Sequence, residues 1–349
     1  MTPAAAGPRR ALVAALLALA VLAAAVLAGA MIGETRIAPD LVLKVLANRL
    51  WQAGHALDPL DQGIVWSYRV PRALVAAACG AGLAVSGVVL QALLRNALAD
   101  PYILGISAGA STGAVAVTIA GLGAGLLSMS LGAFMGALIA FGLVAALARA
   151  AGADAGRGGA AQIVLAGIAG SQLFNALTAF VIAKSANADQ ARGIMFWLMG
   201  NLSGVRWPEV QLAVPVAVMG WLICQLHARG LDAFAFGADS AASLGVPVRR
   251  VRAVLILAAA LVTAVMVSIL GSIGFVGLVI PHAARFLVGV RHGRLIPAAA
   301  LIGAVFLIGA DILSRVIIRG QVLPIGVVTA LIGAPAFALI LIRSRGQMR

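Results

Sequence analysis

A serine between two glycines is the first feature of this sequence that could do chemistry. The pentapeptide GISAG at 105–109 has the spacing of a nucleophile elbow, and His282 could act as its base. An elbow of that kind needs a sharp turn between a strand and a helix, whereas this one opens an apolar helical segment. Acidic partners at membrane depth are also lacking. A serine hydrolase is therefore disfavoured, and an intramembrane enzyme, testable by Ser107→Ala, stays a distant alternative.

Phosphate and metal chemistry are poorly supported by the remaining polar residues. The only lysines are Lys44 and Lys184, and neither follows a glycine, so a Walker-type phosphate loop is missing. The histidines lie far apart without the spacing of metal ligands. Cys79 and Cys224 sit inside apolar segments and are typical of small buried hydrophobic residues. We predict that this chain binds no metal or cofactor and does not itself hydrolyse ATP.

Composition indicates which elements must position these residues. The 349 residues are 62% hydrophobic and only 10% charged, and the mean hydropathy is +1.08. A soluble domain usually has about 25% charged residues, so the sequence predicts a protein with several membrane spans. The net charge of +14 does not indicate nucleic-acid binding, because the basic residues are scattered in ones and twos between apolar runs.

The apolar segments predict an all-α protein with ten transmembrane helices and both termini on the inner side. More Lys and Arg residues fall on the inner segments than on the outer ones, which agrees with the positive-inside rule. The first segment resembles a signal peptide but is too long for one. A further interfacial helix is expected near 41–51, before the second segment. The ten segments are 11–32, 73–94, 103–122, 126–148, 161–183, 210–226, 251–270, 276–290, 295–313 and 325–342.

Glycines give two further structural expectations. Gly109 and Gly113, like Gly132 and Gly136, fall four residues apart, a spacing that lets membrane helices approach closely. The glycine-rich stretch 271–277, with a proline soon after it, predicts short or interrupted helices at membrane depth. Ionisable residues inside the spans are scarce. This argues against an ion-driven carrier, the main competing hypothesis, and for energy supplied by an attached ATPase.

Six segments in the same order resemble the FecCD-type family of ABC importer permeases. The resemblance implies a single permease domain over 1–349 that pairs as a homodimer and binds two cytoplasmic ATPase subunits, which hold the ATP and magnesium. It also implies a bacterial inner-membrane location, a periplasmic binding protein as partner, and import of iron chelates, haem or cobalamin. The segments are RVPR at 69–72, GAGLAVSGVVLQALLRNALADPYILGISAG at 80–109, FWLMGNLSG at 196–204, LGVPV at 244–248, GSIGFVGLVIPHAAR at 271–285 and LPIGVVTALIGAP at 323–335.

By this resemblance, Arg69, Arg72 and Arg315 face outward and meet carboxylates of the binding protein; lipid or interfacial anchoring is the alternative. Arginine suits the docking role because its planar guanidinium binds a carboxylate bidentately. The loop at about 228–250 resembles the segment of two short helices that couples the permease to the ATPase, with an ordinary solvated loop as the alternative. The coupling residues implied are Leu231, Ala235, Gly237, Ala241, Leu244 and Gly245.

The fifth and tenth spans are implied to line the path between the two subunits. The inner gate then falls at Gly159, Ala160 and Ala161, where some relatives carry hydroxyl residues. Polar residues of the fifth span are candidates for the path, although hydrogen bonds between helices would explain them equally well. These candidates are Gln172, Asn175 and Thr178.

The outer segment 185–207 is the basis of the substrate prediction. Its tryptophan and methionines would suit a flat apolar macrocycle, and an arginine could meet the propionates of haem. Tryptophans at an interface are common in any case. We therefore expect haem first, a ferric siderophore second and cobalamin third. The residues concerned are Arg192, Met195, Trp197 and Met199.

Overall fold

A computed structural model describes residues 8–119, 121–122, 127–152, 159–185 and 187–345, and its secondary structure within these ranges is entirely helical. Two irregular helical turns, a π turn at Val65–Arg69 and a 3-10 turn at Pro101–Leu104, join the α-helices. The α-helices are α1 Pro8–Met31, α2 Pro39–Trp51, α3 Pro59–Ile64, α4 Val70–Leu93, α5 Ile106–Thr118, α6 Met129–Ala150, α7 Gly159–Ser185, α8 Ala188–Leu198, α9 Trp207–Leu226, α10 Ala228–Phe234, α11 Ala238–Ser243, α12 Val248–Leu270, α13 Val276–Val288, α14 His292–Val316 and α15 Ile325–Arg345.

The predicted spans fall on ten of these helices. Within the described residues, seven helical segments are long and apolar enough to cross a membrane, those containing α1, α4, α6, α7, α9, α12 and α14. The shorter apolar helices α5, α13 and α15 account for the other three predicted segments. The interfacial helix expected near 41–51 is α2. The all-α, multi-pass membrane architecture is thereby confirmed, and "outer" and "inner" below follow the orientation predicted from charge.

Helix α4 lies at the centre of the fold. The apolar span that includes it is 89% buried, against 6% for the span of α1, which lies at the rim. It packs against α1, α9, α12, α13 and α14. Glycines permit two of these contacts: a Cβ on Gly80 would collide with the carbonyl of Gly303 in α14, and one on Gly87 with that of Gly277 in α13. Small residues thus let α4 touch its neighbours backbone to backbone.

The glycines of α5 and α6 work in the same way. A Cβ on Gly109 would collide with the carbonyl of Gly136, and a Cβ on Gly113 with that of Gly132. The four-residue spacing places these glycines on facing sides of the two helices. Their role in helix packing, which the spacing indicated, is confirmed.

The chain between α12 and α13 is irregular, as the glycines at 271–277 predicted. The Tyr102 hydroxyl donates to the carbonyl of Ile273 at 2.9 Å and accepts from its N–H at 3.0 Å, so this backbone is satisfied without a helix. The Ser107 hydroxyl donates to Ser272 at 2.9 Å, while Nδ1 of His282 lies 2.9 Å from the carbonyl of Leu278. Ser107 and His282 thus serve local structure, which agrees with the exclusion of a serine hydrolase.

Candidate functional site

A buried carboxylate between two arginines organises the outer end of the protein. Asp311, 1% exposed, stands one turn before Arg315 on α14, and Arg72 stands in the first turn of α4. Arg72 Nη2 lies 2.8 Å from Asp311 Oδ1, and Arg315 Nη2 lies 2.9 Å from Asp311 Oδ2. Each carboxylate oxygen therefore has its own guanidinium, which joins the outer ends of α4 and α14.

Arg315 lies in the wall of this cluster rather than on the surface. Its side chain is 4% exposed, and Nη2 donates to the carbonyl of Gly29 in α1 at 3.0 Å. Its Nη1 is buried without a hydrogen-bond partner among the described residues. The expectation that Arg315 faces outward is therefore corrected, because its position four residues after Asp311 turns it into the helix packing.

Beside this cluster lies an open cleft of about 190 Å³. Arg69 donates to the carbonyls of Ile32 at 3.2 Å and Thr35 at 3.0 Å, and the Arg206 guanidinium lies 3.8 Å from the centre of the Tyr68 ring. The cleft is rich in cations and suited to an anionic partner. Its lining residues are Glu34, Thr35, Tyr68, Arg69, Arg72, Ser203, Arg206, Arg315 and Val322.

Arg206 was missed in the sequence analysis. It lies two positions after the family-like segment 196–204 and directly precedes α9, whose Glu209 accepts a hydrogen bond from the Arg206 N–H at 2.8 Å. A basic residue at a span boundary, two positions after a recognised motif, was the available signal. Arg69 and Arg72 both line the cleft and are partly exposed, which is compatible with docking. Their docking role stays a prediction.

The loop between α9 and α12 contains two short helices, α10 and α11. Leu231 and Ala241 are fully buried and anchor these helices. Ala235, Leu244 and Gly245 are exposed, and Gly237, with φ 103°, forms the turn between the helices. Phe236, 76% exposed, adds a large apolar side chain that the sequence analysis did not single out. The surface available to a partner is therefore formed by the turn and the end of the loop.

One polar contact attaches α10 to the beginning of α14. Asp232 Oδ1 accepts from the backbone N–H of His292 at 2.9 Å and lies 2.7 Å from Nδ1 of the same residue. A second contact reaches the same turn of α14, since the Gln225 amide donates to the carbonyl of Gly293 at 3.1 Å. The Asp232 side chain is 42% exposed and that of His292 is 8% exposed.

The residues predicted for the translocation path divide into two groups. Gln172 and Asn175 are exposed on α7, on a surface that also exposes large apolar side chains such as Phe180. Thr178 is 7% exposed, and its hydroxyl lies 2.8 Å from that of Thr112 in α5. Thr178 therefore forms a hydrogen bond between helices, which was the alternative to a place in the translocation path. Of the gate residues, Gly159 is buried, Ala160 half-buried and Ala161 exposed.

The outer helix α8 buries the tryptophan that was expected to face a flat macrocycle, although its neighbour Phe196 is 47% exposed. Trp197 is 8% exposed and belongs to a core cluster with Leu90 and Val267. Arg192 and Met195 are exposed, and Met199 is half-buried. The prediction that Trp197 lines an outer vestibule is corrected, because its ring points into the bundle.

Comparisons with known proteins agree with the helical membrane fold described above. A model of the FecCD transport family matches residues 19–343. The cobalamin import system permease protein of Halobacterium salinarum is 42% identical over 285 residues, which cover 81% of this chain and 74% of that protein. The vitamin B12 import system permease protein of Klebsiella pneumoniae is 37% identical over 309 residues, covering 88% and 91%. A solved inward-facing structure of a metal-chelate type ABC transporter has a TM-score of 0.79 at 29% identity, covering 94% of this chain and 98% of that one.

Proposed function

Because this chain belongs to the FecCD transport family and is an ABC importer permease, we propose that it carries cobalamin across the inner (cytoplasmic) membrane. The observation that carries the choice of substrate is the 42% identity to a permease named for cobalamin import. Several further relatives are named for vitamin B12 import. As in the rest of the family, ATP hydrolysis belongs to separate subunits. Cobalamin, placed third in the sequence analysis, therefore replaces haem.

The structure supports this replacement by removing the argument for haem. That argument needed an exposed indole beside exposed methionines, and Trp197 is buried in the core. Arg192, Met195 and Phe196 remain exposed on α8, but the indole on which the prediction depended is missing from this surface. The outer cleft is polar and cationic, and it favours contact with a protein partner.

The proposed complex contains two copies of this chain, two ATPase subunits and a binding protein that delivers the substrate. Each copy of the chain forms one permease domain. Three surfaces support it. The cleft with Arg69 and Arg72 is cationic and suits carboxylates of the binding protein. The turn at Gly237 exposes Phe236 toward an ATPase. The apolar side chains exposed on α7 and α15, such as Phe180 and Leu331, would be covered by the second copy.

In this mechanism the permease performs no covalent chemistry. Docking of the loaded binding protein places the substrate over the path between the two copies. ATP binding and hydrolysis in the partner subunits move the coupling segment, and the dimer alternates between outward and inward access. The family assignment leaves no need for the ion-driven carrier considered from the sequence.

A ferric siderophore is the second candidate substrate. The specific observation in its favour is the TM-score of 0.79 to a transporter described as a metal-chelate type. Since the path is formed by side chains of both copies, related permeases can share one fold and differ in cargo.

Transport by the reconstituted complex tests both candidates. The permease is placed in proteoliposomes with the ATPase and the binding protein of the same organism, and uptake of radiolabelled cobalamin, a ferric siderophore or haem is measured with and without ATP. We expect uptake of cobalamin alone, dependent on ATP and on the binding protein. ATP-dependent uptake of only a siderophore or haem would replace the substrate, and uptake of cobalamin without ATP would contradict the importer mechanism.

A further inference from the structure

Helices α4 and α14 form one antiparallel pair that runs from the outer cleft to the coupling segment. At the outer end, Arg72 of α4 is paired with Asp311 of α14 at 2.8 Å. At mid-depth, Gly80 and Gly303 bring the two backbones into direct contact, with no room for a Cβ on either. Charge at one end and close packing in the middle therefore join the two helices along most of their length.

Helix α14 is long enough to transmit a displacement across the membrane. Its 25 residues correspond to about 37 Å of helix. Pro297 falls near its inner end, and the rest of the helix toward Asp311 contains no further proline. A hydrogen-bonded helix packed against a second helix moves as a rigid element, because packed interiors do not deform continuously.

The inner end of the pair carries α10, the first helix of the coupling segment. Leu231 and Phe234, at 0% and 2% exposure, bury one face of α10 in the main core. α10 contacts both α4 and α14. Asp232, on the same helix, accepts a hydrogen bond from the backbone N–H of His292 at the start of α14. The helix dipole favours a negative charge at this end.

We propose that the α4–α14 pair is the element that links the coupling segment to the outer cleft, and that Asp232 is the positioning residue which joins α10 to it through His292. This inference rests on the proposed function for its direction of transmission. The joint itself rests on the two contacts of Asp232 Oδ1, at 2.9 Å to the backbone nitrogen and 2.7 Å to Nδ1 of His292.

A joint of this kind has to hold α10 in register without belonging to the core. Asp232 meets this need, since its side chain is 42% exposed while its partner is 8% exposed. Its removal would leave Leu231 and Phe234 to keep α10 in place by apolar contact alone, which is non-directional. Movement of the coupling segment would then no longer be delivered to the first turn of α14 in a fixed direction.

The test compares four forms of the reconstituted complex: wild type, Asp232→Ala, Asp232→Asn and Gln225→Leu. We expect Asp232→Ala to assemble and hydrolyse ATP, while the substrate transported per ATP falls by about fivefold or more, the lower end of usual coupling effects. Asp232→Asn keeps an acceptor oxygen and should stay within about twofold of wild type. Gln225→Leu removes the other hydrogen bond to the same turn of α14 and should resemble wild type.

Wild-type transport per ATP in Asp232→Ala would overturn the proposal, as would an Asn variant as impaired as the Ala variant. A second measurement needs no partner: hydrogen exchange of the permease alone in nanodiscs. In Asp232→Ala the amides of α10 should exchange about tenfold faster than in wild type, and His292→Leu, which keeps the backbone donor, should give a smaller increase. Unchanged exchange would overturn the joint even if the proposed substrate proved wrong, whereas a wild-type complex that transports nothing would contradict only the proposed function.

Discussion

The two ends of α14 each hold a carboxylate, in very different surroundings. At the outer end Asp311 is 1% exposed and lies between the guanidinium groups of Arg72 and Arg315. At the inner end Asp232, from α10, is 42% exposed and binds His292. Two ion pairs in a buried setting make the outer end part of the assembled core. The half-exposed contact of Asp232 makes the inner end a connection that can be altered without unfolding the bundle.

This difference shows that burial decides what a carboxylate does in this protein. Removing one partner of a buried pair leaves an uncompensated charge, which is strongly destabilising. Removing an exposed partner costs little, because water replaces it. Substitutions at Asp311 should therefore act on stability, and substitutions at Asp232 on transport.

The largest effect is expected from Asp311→Ala. It leaves the buried Arg315 and the partly exposed Arg72 without their counterion, at a cost of about 3–5 kcal/mol. Thermal unfolding in detergent, followed by the loss of monodisperse protein, should show a lower Tm or failure to accumulate. The matched control is Asp40→Ala, because Asp40 and Lys44 form an i,i+4 pair like Asp311 and Arg315 but are 67% and 47% exposed. An unchanged Tm for Asp311→Ala would contradict the structural role of the outer pair.

The second largest loss of stability is expected at the close contact in the middle of the α4–α14 pair. Gly303→Val places a side chain against the backbone of Gly80 and the side chain of Ala84, at an expected cost of about 1–3 kcal/mol. Gly309→Val is the control on the same helix, since a Cβ there meets nothing within 4 Å. If both variants unfold at the same temperature, α4 and α14 do not depend on close backbone contact.

Docking at the outer cleft should show a smaller effect that depends on salt. Arg69→Gln with Arg206→Gln removes two cations and leaves polar side chains, and it spares Arg72, which the core requires. We expect the association rate of the binding protein, measured by surface plasmon resonance at low salt, to fall on the order of tenfold. Arg36→Gln, an exposed cation outside the cleft, should have little effect. Equal rates for the cleft variant and wild type would remove the docking role.

The smallest effect concerns Asp100, a carboxylate on the inner α4–α5 connection. It accepts the N–H of Tyr102 at 2.9 Å, and burial raises its pKa to about 6. Because the folded pKa lies above the unfolded value of 3.8, wild-type stability falls as the pH rises between these values and stays lower above them.

Asp100→Asn keeps the acceptor and removes this ionisation. We expect it to be more stable than wild type by on the order of 1 kcal/mol at pH 8, with no advantage at pH 4. Unfolding measured at both pH values checks the sign. An advantage for the Asn variant that is the same at both would assign the effect to something other than the charge.

Much of the fold was predictable because membrane spans leave a strong signal in composition. The ten apolar segments, α2 and the break at 271–275 follow from hydropathy and glycine placement. The depth of individual side chains was not predictable in this way. Arg315, Thr178 and Trp197 each look like surface residues of a span end or span face, and their burial follows from which helix lies beside them.

The contacts that organise the site are also far apart in sequence. Arg72 and Asp311 are separated by 239 positions, and Asp232 and His292 by 60. Nothing near Asp232 in the sequence indicates that it will meet the start of α14, and nothing near Gly80 indicates Gly303. Resemblance to a family covered Arg72 and Gly80 but neither of their partners, so the pairings required the packed structure.

The central position of α4 has a consequence for how the protein is made. Its neighbours α9, α12, α13 and α14 all follow it in the chain, so α4 enters the bilayer before most of the surface that will enclose it exists. At usual rates of synthesis, the 239 positions from Arg72 to Asp311 take on the order of 10–50 s. During that interval the arginine must remain in the polar headgroup region, and the nascent bundle stays open along one side. The insertion of α14 therefore encloses α4 and neutralises the outer end in a single step, and only α15 remains to be added after it.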